Sequence, residues 1–246
     1  MPCYRFYLNS NLVKNGRVAL QGDQLHHMKN VMRLRVGETV EIINGRNQLA
    51  QARIDAYQGN QIAHVNIDQV LTQLVLDKPR INLIQPLIRS KGLDLVIEKC
   101  TELGVSHFYL YASELGEISQ FSSARCKKLT EIAISAIKQC GRLDLPTLTF
   151  ADRLHNLKLQ SNVHPICFGD TRHLDNAQVG FTPQSTLAQC KTVCIGPEKG
   201  FSDKEINYLE NQLGATGIKI SPFILRSETA SITLTALTSY ASILKQ

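Results

Sequence analysis

The stretch TVCIGPEKGFSDKE, residues 192–205, decides how this chain is to be read. An apolar, strand-like run from Thr192 to Ile195 passes directly into the turn Gly196-Pro197-Glu198-Lys199-Gly200-Phe201. Ser202 and Glu205 then form a capping box that starts a helix. Glycines in a strand-to-helix turn let a ligand approach the backbone, and the helix start offers N–H groups that lack helical partners. A tight connection wants glycine too, so spacing alone leaves both readings open. The pattern is neither GxxxxGKS nor GxxxxGKT, and GxGxxG is absent, which argues against a phosphate-cradling P-loop and the usual dinucleotide site.

Working outward, Ile81 to Ile88 reads as an apolar strand, and Leu93, Val96, Ile97 and Cys100 mark one stripe of a helix that stops at Gly104. HFYLYA is the next strand. Leu129, Ile132, Ala133, Ala136, Ile137 and Cys140 define a second amphipathic helix, ended by Gly141. The strands VHPICF and TVCI, a helix from Ser202, the strand GIKI and a last helix through Leu234, Leu237, Ala241 and Leu244 complete an α/β pattern. Such alternation implies a mostly parallel sheet with helices on both faces. The N-terminal part follows a different period. YRFYL and RVAL are strand-like, and a helix after Gly22-Asp23 places Leu25, Met28 and Met32 on one face. TVEII, the turn pair Asn44-Gly45 and QLAQARIDAY, with Leu49, Ala52 and Ile54 alternating, predict a hairpin. QIAHVNI closes a small β-barrel-like unit. The expected domains are 1–72 and 73–246, joined by a linker over 73–79 in which Asp77-Lys78-Pro79 breaks both periods.

With 246 residues, 43% of them hydrophobic and 20% charged, the chain is globular and neither fibrous nor disordered. No run approaches the ~18 apolar residues of a membrane span, and MPCYRFYLNS lacks a signal peptide's layout, so a cytoplasmic protein without membrane attachment is expected. Seven cysteines without a CxxC pair are expected to be reduced, mostly structural thiols. The net charge of +6 favours a polyanionic partner, or simply serves a solvated surface.

A parallel sheet places ligand sites at the carboxyl ends of its strands. Besides the 196–201 turn, two segments qualify. Ile220-Ser221-Pro222-Phe223-Ile224-Leu225-Arg226-Ser227-Glu228 leads from a strand into a helix, and its Arg226 and Glu228 form either a structural pair or a functional one. Phe168-Gly169-Asp170 offers backbone and an apolar wall. Lys29 and Arg33, four apart on the first helix, with Arg35 following on the turn, suit phosphate contacts or a solvated face. Adjacent His26 and His27 cannot point the same way on a helix, and no metal site is expected.

Five stretches in this order, HHMKNVMRLRVGE, SKGLDLVIEKCTELGV, AISAIKQCGR, IGPEKGFSDKEI and ILRSETA, nearly span the chain and resemble the RsmE family. These are the 16S ribosomal RNA uridine-N3 methyltransferases of the SPOUT superfamily. The resemblance implies a PUA-like, RNA-binding N-terminal domain over 1–72 and a SPOUT methyltransferase domain with a trefoil knot over 73–246. It implies S-adenosylmethionine (SAM) as cofactor, held by Phe168, Gly169, Ile195, Gly196, Gly200, Ile220, Ser221, Pro222, Leu225 and Ser227. It also implies a homodimer acting on 16S rRNA in the small subunit, with Arg5, Lys91, Gln139 and Arg142 facing RNA beside Lys29, Arg33 and Arg35.

Methylating uridine N3 requires removal of a proton. Glu198 and Glu228 are the nearest acidic candidates, with no basis for choosing between them, and Arg226 is placed to stabilise charge on the uracil oxygens. Three positions depart from the family pattern. Lys199 replaces the usual second glycine, Ser221 replaces the glycine before proline, and Phe223 stands where arginine is common. If either former glycine needs a left-handed backbone, the substitution costs on the order of 1–2 kcal/mol. The alternatives are a SPOUT-fold RNA-binding or ribosome-assembly protein with decayed activity, and a SPOUT methyltransferase with another RNA target.

Overall fold

The computed structural model describes residues 4–72, 81–172 and 182–244. The linker expected over 73–79 lies outside them. The chain divides into two compact units, one of Met1–Lys78 with Ile134–Leu145, the other of Pro79–Ala133 with Pro146–Gln246.

In the first unit, β1 (Arg5–Tyr7), β2 (Arg17–Leu20), β3 (Thr39–Ile43), β4 (Gln48–Gln58) and β5 (Ile62–Thr72) form one curled sheet in the order β1-β3-β4-β5-β2. Alternate residues turn inward, Val40 and Ile42 on β3, Ala50, Ala52 and Ile54 on β4, and Ala63, Val65 and Ile67 on β5. Leu49 breaks the predicted alternation. It faces the opposite side, where a second cluster of Ile43, Ile137 and Leu143 packs with Tyr7 and Leu145. The Asn44-Gly45 turn is a four-residue connection rather than a two-residue one, with left-handed backbone at Gly45 and Asn47. The buried Asn44 closes it, donating to Gln48 Oε1 at 2.6 Å and accepting the Arg46 N–H at 2.8 Å.

Helix α1 is only Gly22–His26 and continues as a π-helical turn over His27–Val31. Leu25 and Met28 are buried as predicted, whereas Met32 is exposed, because the wider turn moves it off the apolar stripe. Arg33 follows in a left-handed conformation (φ 55°), so Lys29 and Arg33 do not share the single helix face expected of them.

The second unit contains β6 (Ile81–Pro86), β7 (Val105–Tyr111), β8 (Thr147–Ala151), β9 (Ile166–Gly169), β10 (Thr192–Cys194) and β11 (Thr216–Ile218). All pairs are parallel, in the order β11-β9-β10-β6-β7-β8. Its helices are α2 (Ser90–Glu102), α3 (Ser123–Cys140, whose last turns belong to the first unit), α4 (Gln184–Leu187), α5 (Asp203–Asn207) and α6 (Ser227–Leu244). Successive side chains of β6 show that both faces are covered. Ile84 packs with Tyr109, Phe168, Cys194 and Leu209, while its neighbour Gln85 bonds to Ser227 and Ser231 of α6 on the other face. The stripe on α2 is buried as predicted. On α3 Cys140 is exposed, because Gly141 (φ 88°) ends the helix and leaves its last turn open.

The expectation of reduced cysteines is corrected at one place: Cys167 on β9 and Cys190 before β10 form a disulfide. Their Cα atoms lie 6.1 Å apart because adjacent parallel strands bring them together. Among the described residues, no helix is long and apolar enough to cross a membrane, and no three His, Cys, Asp or Glu side chains group as metal ligands.

Candidate active site

The carboxyl ends of β9, β10 and β11 open into a cavity of about 360 Å³. Its walls are Gly169 to Arg172, Ile195 to Phe201 and Ile218 to Ser221, closed by Phe223 to Leu225 and by Ser227, Ala230 and Leu234 of α6. Most of these residues lie just past a strand end or at a helix start, although Gly169 and Ile218 still pair across β9 and β11, and the Asp170 and Ile195 N–H groups carry the sheet bonding on to Ile218 and Ile84.

The turn read first from the sequence is built as its residues require. The Gly200 N–H returns to the Pro197 carbonyl at 2.9 Å, and Gly200 takes the left-handed backbone (φ 78°). A Cβ on Gly196 would stand 3.2 Å from the Phe201 ring. Ser202 and Glu205 form the reciprocal capping box that starts α5. Lys199 and Ser221 are not among the non-glycine residues with positive φ, so the feared backbone strain is absent at both. Ser221 Oγ accepts the Phe223 N–H at 3.0 Å, which holds Phe223 out at the cavity rim, 76% exposed.

Of the expected cofactor residues, Gly169, Ile195, Gly196, Gly200, Ile220, Ser221, Leu225 and Ser227 line the cavity. Phe168 and Pro222 do not. Phe168 is buried behind the wall, its ring edge-on to Phe201 at 5.8 Å, and Pro222 is exposed. Glu198 lines the cavity, whereas Arg226 is exposed beside it. The Glu228 carboxylate turns toward α2, where a Cβ on Gly92 would be 3.5 Å from its Oε2.

Two buried groups behind the wall are kept neutral. Burial, reinforced by Cys194 and Glu205, pushes the Tyr111 phenol well up, and its hydroxyl donates to the Ile195 carbonyl at 3.3 Å. Burial and the charge of Glu205 likewise push the Cys194 thiol up, which removes it as a nucleophile.

The sequence reading did not single out Arg172. It donates to Asp170 through Nε (3.0 Å) and Nη2 (2.7 Å), reaches Glu210, and lies 5.8 Å from the Phe168 ring. These bonds, Asp170 first, raise its already high pKa, so a permanent positive charge edges the cavity. The visible signal was Asp170-Thr171-Arg172 directly after a strand end. Gln85 was also missed, although an amide inside the run INLIQPLI was the clue.

The residues expected to face RNA are partly engaged within the protein. Arg5 grips Glu41 through Nε (2.9 Å) and Nη2 (2.7 Å). Lys29 donates to the Gly59 carbonyl and Asn60 Oδ1 and lies 5.4 Å over the Tyr57 ring. Arg142 pairs with Asp144 at 2.6 Å. Arg33, Arg35, Lys91 and Gln139 are exposed.

A family model described as an RNA methyltransferase domain matches residues 76–239, and one described as an RNA methyltransferase PUA domain matches residues 20–62. The ribosomal RNA small subunit methyltransferase E of Rickettsia conorii is 27% identical over 237 residues, covering 96% of this chain and 95% of its own. The protein of the same name from Buchnera aphidicola is 28% identical, covering 95% and 92%. The structure of a putative methyltransferase from Legionella pneumophila, in complex with SAM, superimposes with a TM-score of 0.83 at 26% identity over 98% of both chains. A cavity at the strand ends, framed by backbone turns, thus coincides with a family match that runs from residue 76 to 239. The chain belongs to the RNA methyltransferase family, with that family's PUA domain in its N-terminal part.

Proposed function

We propose that the protein is a SAM-dependent methyltransferase that methylates N3 of a uridine in 16S rRNA of the small subunit. The observation that carries this reading is the cavity at the ends of β9, β10 and β11, lined by glycine-containing backbone turns, with Glu198 on its wall. The residues suit the cofactor. Ile195, Ile220 and Leu225 offer apolar surface to an adenine, and Gly169, Gly196 and Gly200 let backbone amides and carbonyls come close to it. When bound, SAM supplies a methyl group on a positively charged sulfur, open to in-line displacement.

The protein's own task is then to hold the uracil in line and take its N3 proton. Glu198 lines the cavity and is the nearer base. Glu228 would have to turn away from Gly92 to serve. Arg226 at the start of α6 stabilises negative charge spread onto the uracil oxygens. The second reading, a decayed enzyme, loses its motive, because Lys199 and Ser221 occupy ordinary backbone.

Residues 1–72 serve RNA binding and 73–246 catalysis, the latter with the family's knot, in a cytoplasmic homodimer. Leu237, Tyr240, Ile243 and Leu244 support the dimer, for they leave an apolar face of α6 37–60% exposed. Transfer of labelled methyl from SAM to unmodified small subunits, with the nucleoside identified, tests the function. 3-Methyluridine in 16S rRNA is expected, and any other modified nucleoside refutes the assignment.

A further inference from the structure

Strand β6 is buried along its whole length, yet an amide stands near its end. Gln85 is 0% exposed, and its neighbours fix how it points. The Pro86 carbonyl can only accept, and it lies 3.2 Å from Nε2, so the amide nitrogen must be on that side. The other amide N–H meets Ser227 Oγ at 3.3 Å. Ser227 therefore accepts there and directs its own proton to the Gly196 carbonyl, 2.9 Å away. On the far side the Ser231 hydroxyl, whose one proton is shared with the Ser227 carbonyl 2.8 Å away, donates to Gln85 Oε1. The donors thus run in one direction, from Ser231 through Gln85 and Ser227 to Gly196.

Gly196 and Ser227 lie on different segments of the cavity wall, one in the turn after β10, the other in the first turn of α6. The bond between them joins those segments, and Gln85 holds the hydroxyl that makes it. An apolar side chain of similar size would fill the same space without the cost of burying an amide. It could not hold the Ser227 hydroxyl in one rotamer with its proton aimed at Gly196.

We propose that Gln85 is a positioning residue for the cofactor, setting the Gly196 carbonyl and the start of α6 through Ser227. This rests on the reading of the cavity as a SAM site. A shift at either end of the chain of bonds moves two walls of the cavity together.

The test is a double-mutant cycle. SAM is titrated into wild type, Gln85→Met, Ser227→Ala and the double variant, with melting curves taken on each. Gln85→Met is expected to weaken SAM binding about tenfold. Its melting temperature stays close to wild type, and its KM for SAM rises while kcat at saturation is kept. The double variant binds no more weakly than Ser227→Ala alone, because Gln85 acts through that hydroxyl. Unchanged affinity in Gln85→Met, or losses that add in the double variant, overturn the inference. Should Gln85→Met not fold, Gln85→Glu is the second variant. Its carboxylate draws the Ser227 proton away from Gly196, so the same loss is expected and wild-type affinity refutes the proposal. A wild-type chain that takes up no SAM overturns the cofactor reading and this inference with it. Wild-type binding with unaltered variants sinks this inference alone.

Discussion

The carboxylate of Glu205 accepts the Ser113 hydroxyl at 2.9 Å and the Ser202 N–H at 2.9 Å, so one buried side chain both caps α5 and ties it to the end of β7. It also accepts the Glu114 N–H at 3.1 Å. Glu205→Ala leaves these donors unpaired and is expected to cost about 2–3 kcal/mol in urea unfolding. Glu205→Gln, which keeps one acceptor oxygen, is expected to lose less. Equal stability of Glu205→Ala and wild type would show that water replaces the carboxylate without penalty.

The acidic candidates separate by kinetics. Glu198→Gln is expected to lower kcat by about a hundredfold with little effect on the KM for SAM, the loss typical of a missing general base. Glu228→Gln leaves kcat nearly intact, because that carboxylate faces Gly92. Arg226→Ala lowers kcat without lowering the melting temperature, since the side chain is exposed. The reverse order for the two glutamates would transfer the role of base to Glu228.

The basic residues of the first unit are not equivalent. Arg33 and Arg35 are exposed, whereas Lys29 is held by Gly59 and Asn60. Each arginine changed to alanine is expected to reduce the salt slope of RNA binding by about 0.7–0.9. Lys29→Ala mainly lowers stability. Equal slopes for all three variants and wild type would make this a merely solvated face.

Thiol labelling at pH 8 distinguishes the cysteines. Among the described free cysteines, Cys140 is exposed and reacts first. Burial pushes the Cys100 thiol up to about 12, so its thiolate is scarce at pH 8 and it stays unlabelled while the protein is folded. Cys167 and Cys190 label only after reduction and unfolding. Their bridge closes a sequence separation of 23 residues, and its loss is expected to cost about 3 kcal/mol. Full labelling without reductant would show that the bridge does not form.

His107 is buried against Tyr109, its ring stacked at 3.9 Å and its Nε2 2.6 Å from Thr149 Oγ1. Burial lowers its pKa below the ordinary 6.5. The unfolded chain therefore binds more protons than the folded one as pH falls from 6.5 toward the folded value. This stabilisation is complete above pH 6.5 and declines below it. The melting temperature is expected to drop from pH 7 to pH 5, and less steeply in His107→Gln. Parallel pH profiles for the two proteins would assign the slope to other groups.

Much of this architecture is legible wherever burial is continuous or periodic. The run INLIQP and the α2 stripe stand out because a parallel sheet buries both its faces and each covering helix buries one. Errors arise where one residue changes the geometry. A π-helical turn turns Met32 outward, and a four-residue connection after Asn44 moves the inward set from Leu49 to Ala50. Strand β8 was not recognised because it is a half-exposed edge strand with no clear alternation. At the site, the backbone turns are legible from Gly196 and Gly200, but side-chain direction is not. Nothing local distinguishes Glu198, on the cavity wall, from Glu228, which faces Gly92. The disulfide joins residues whose proximity depends on strand order, which periodicity does not report.

Helix α3 begins in one unit and ends in the other. Ile137, Leu143 and Leu145 cover Ile43 and Leu49, so the N-terminal unit borrows part of its apolar interior from a segment more than sixty residues further along the chain. A gene fragment ending at residue 72 would encode every strand of that sheet and still yield an incomplete object, sticky on one side. Each unit is thus built from two separate stretches of sequence, and the N-terminal one cannot be transplanted, shuffled or inherited as a single run of residues.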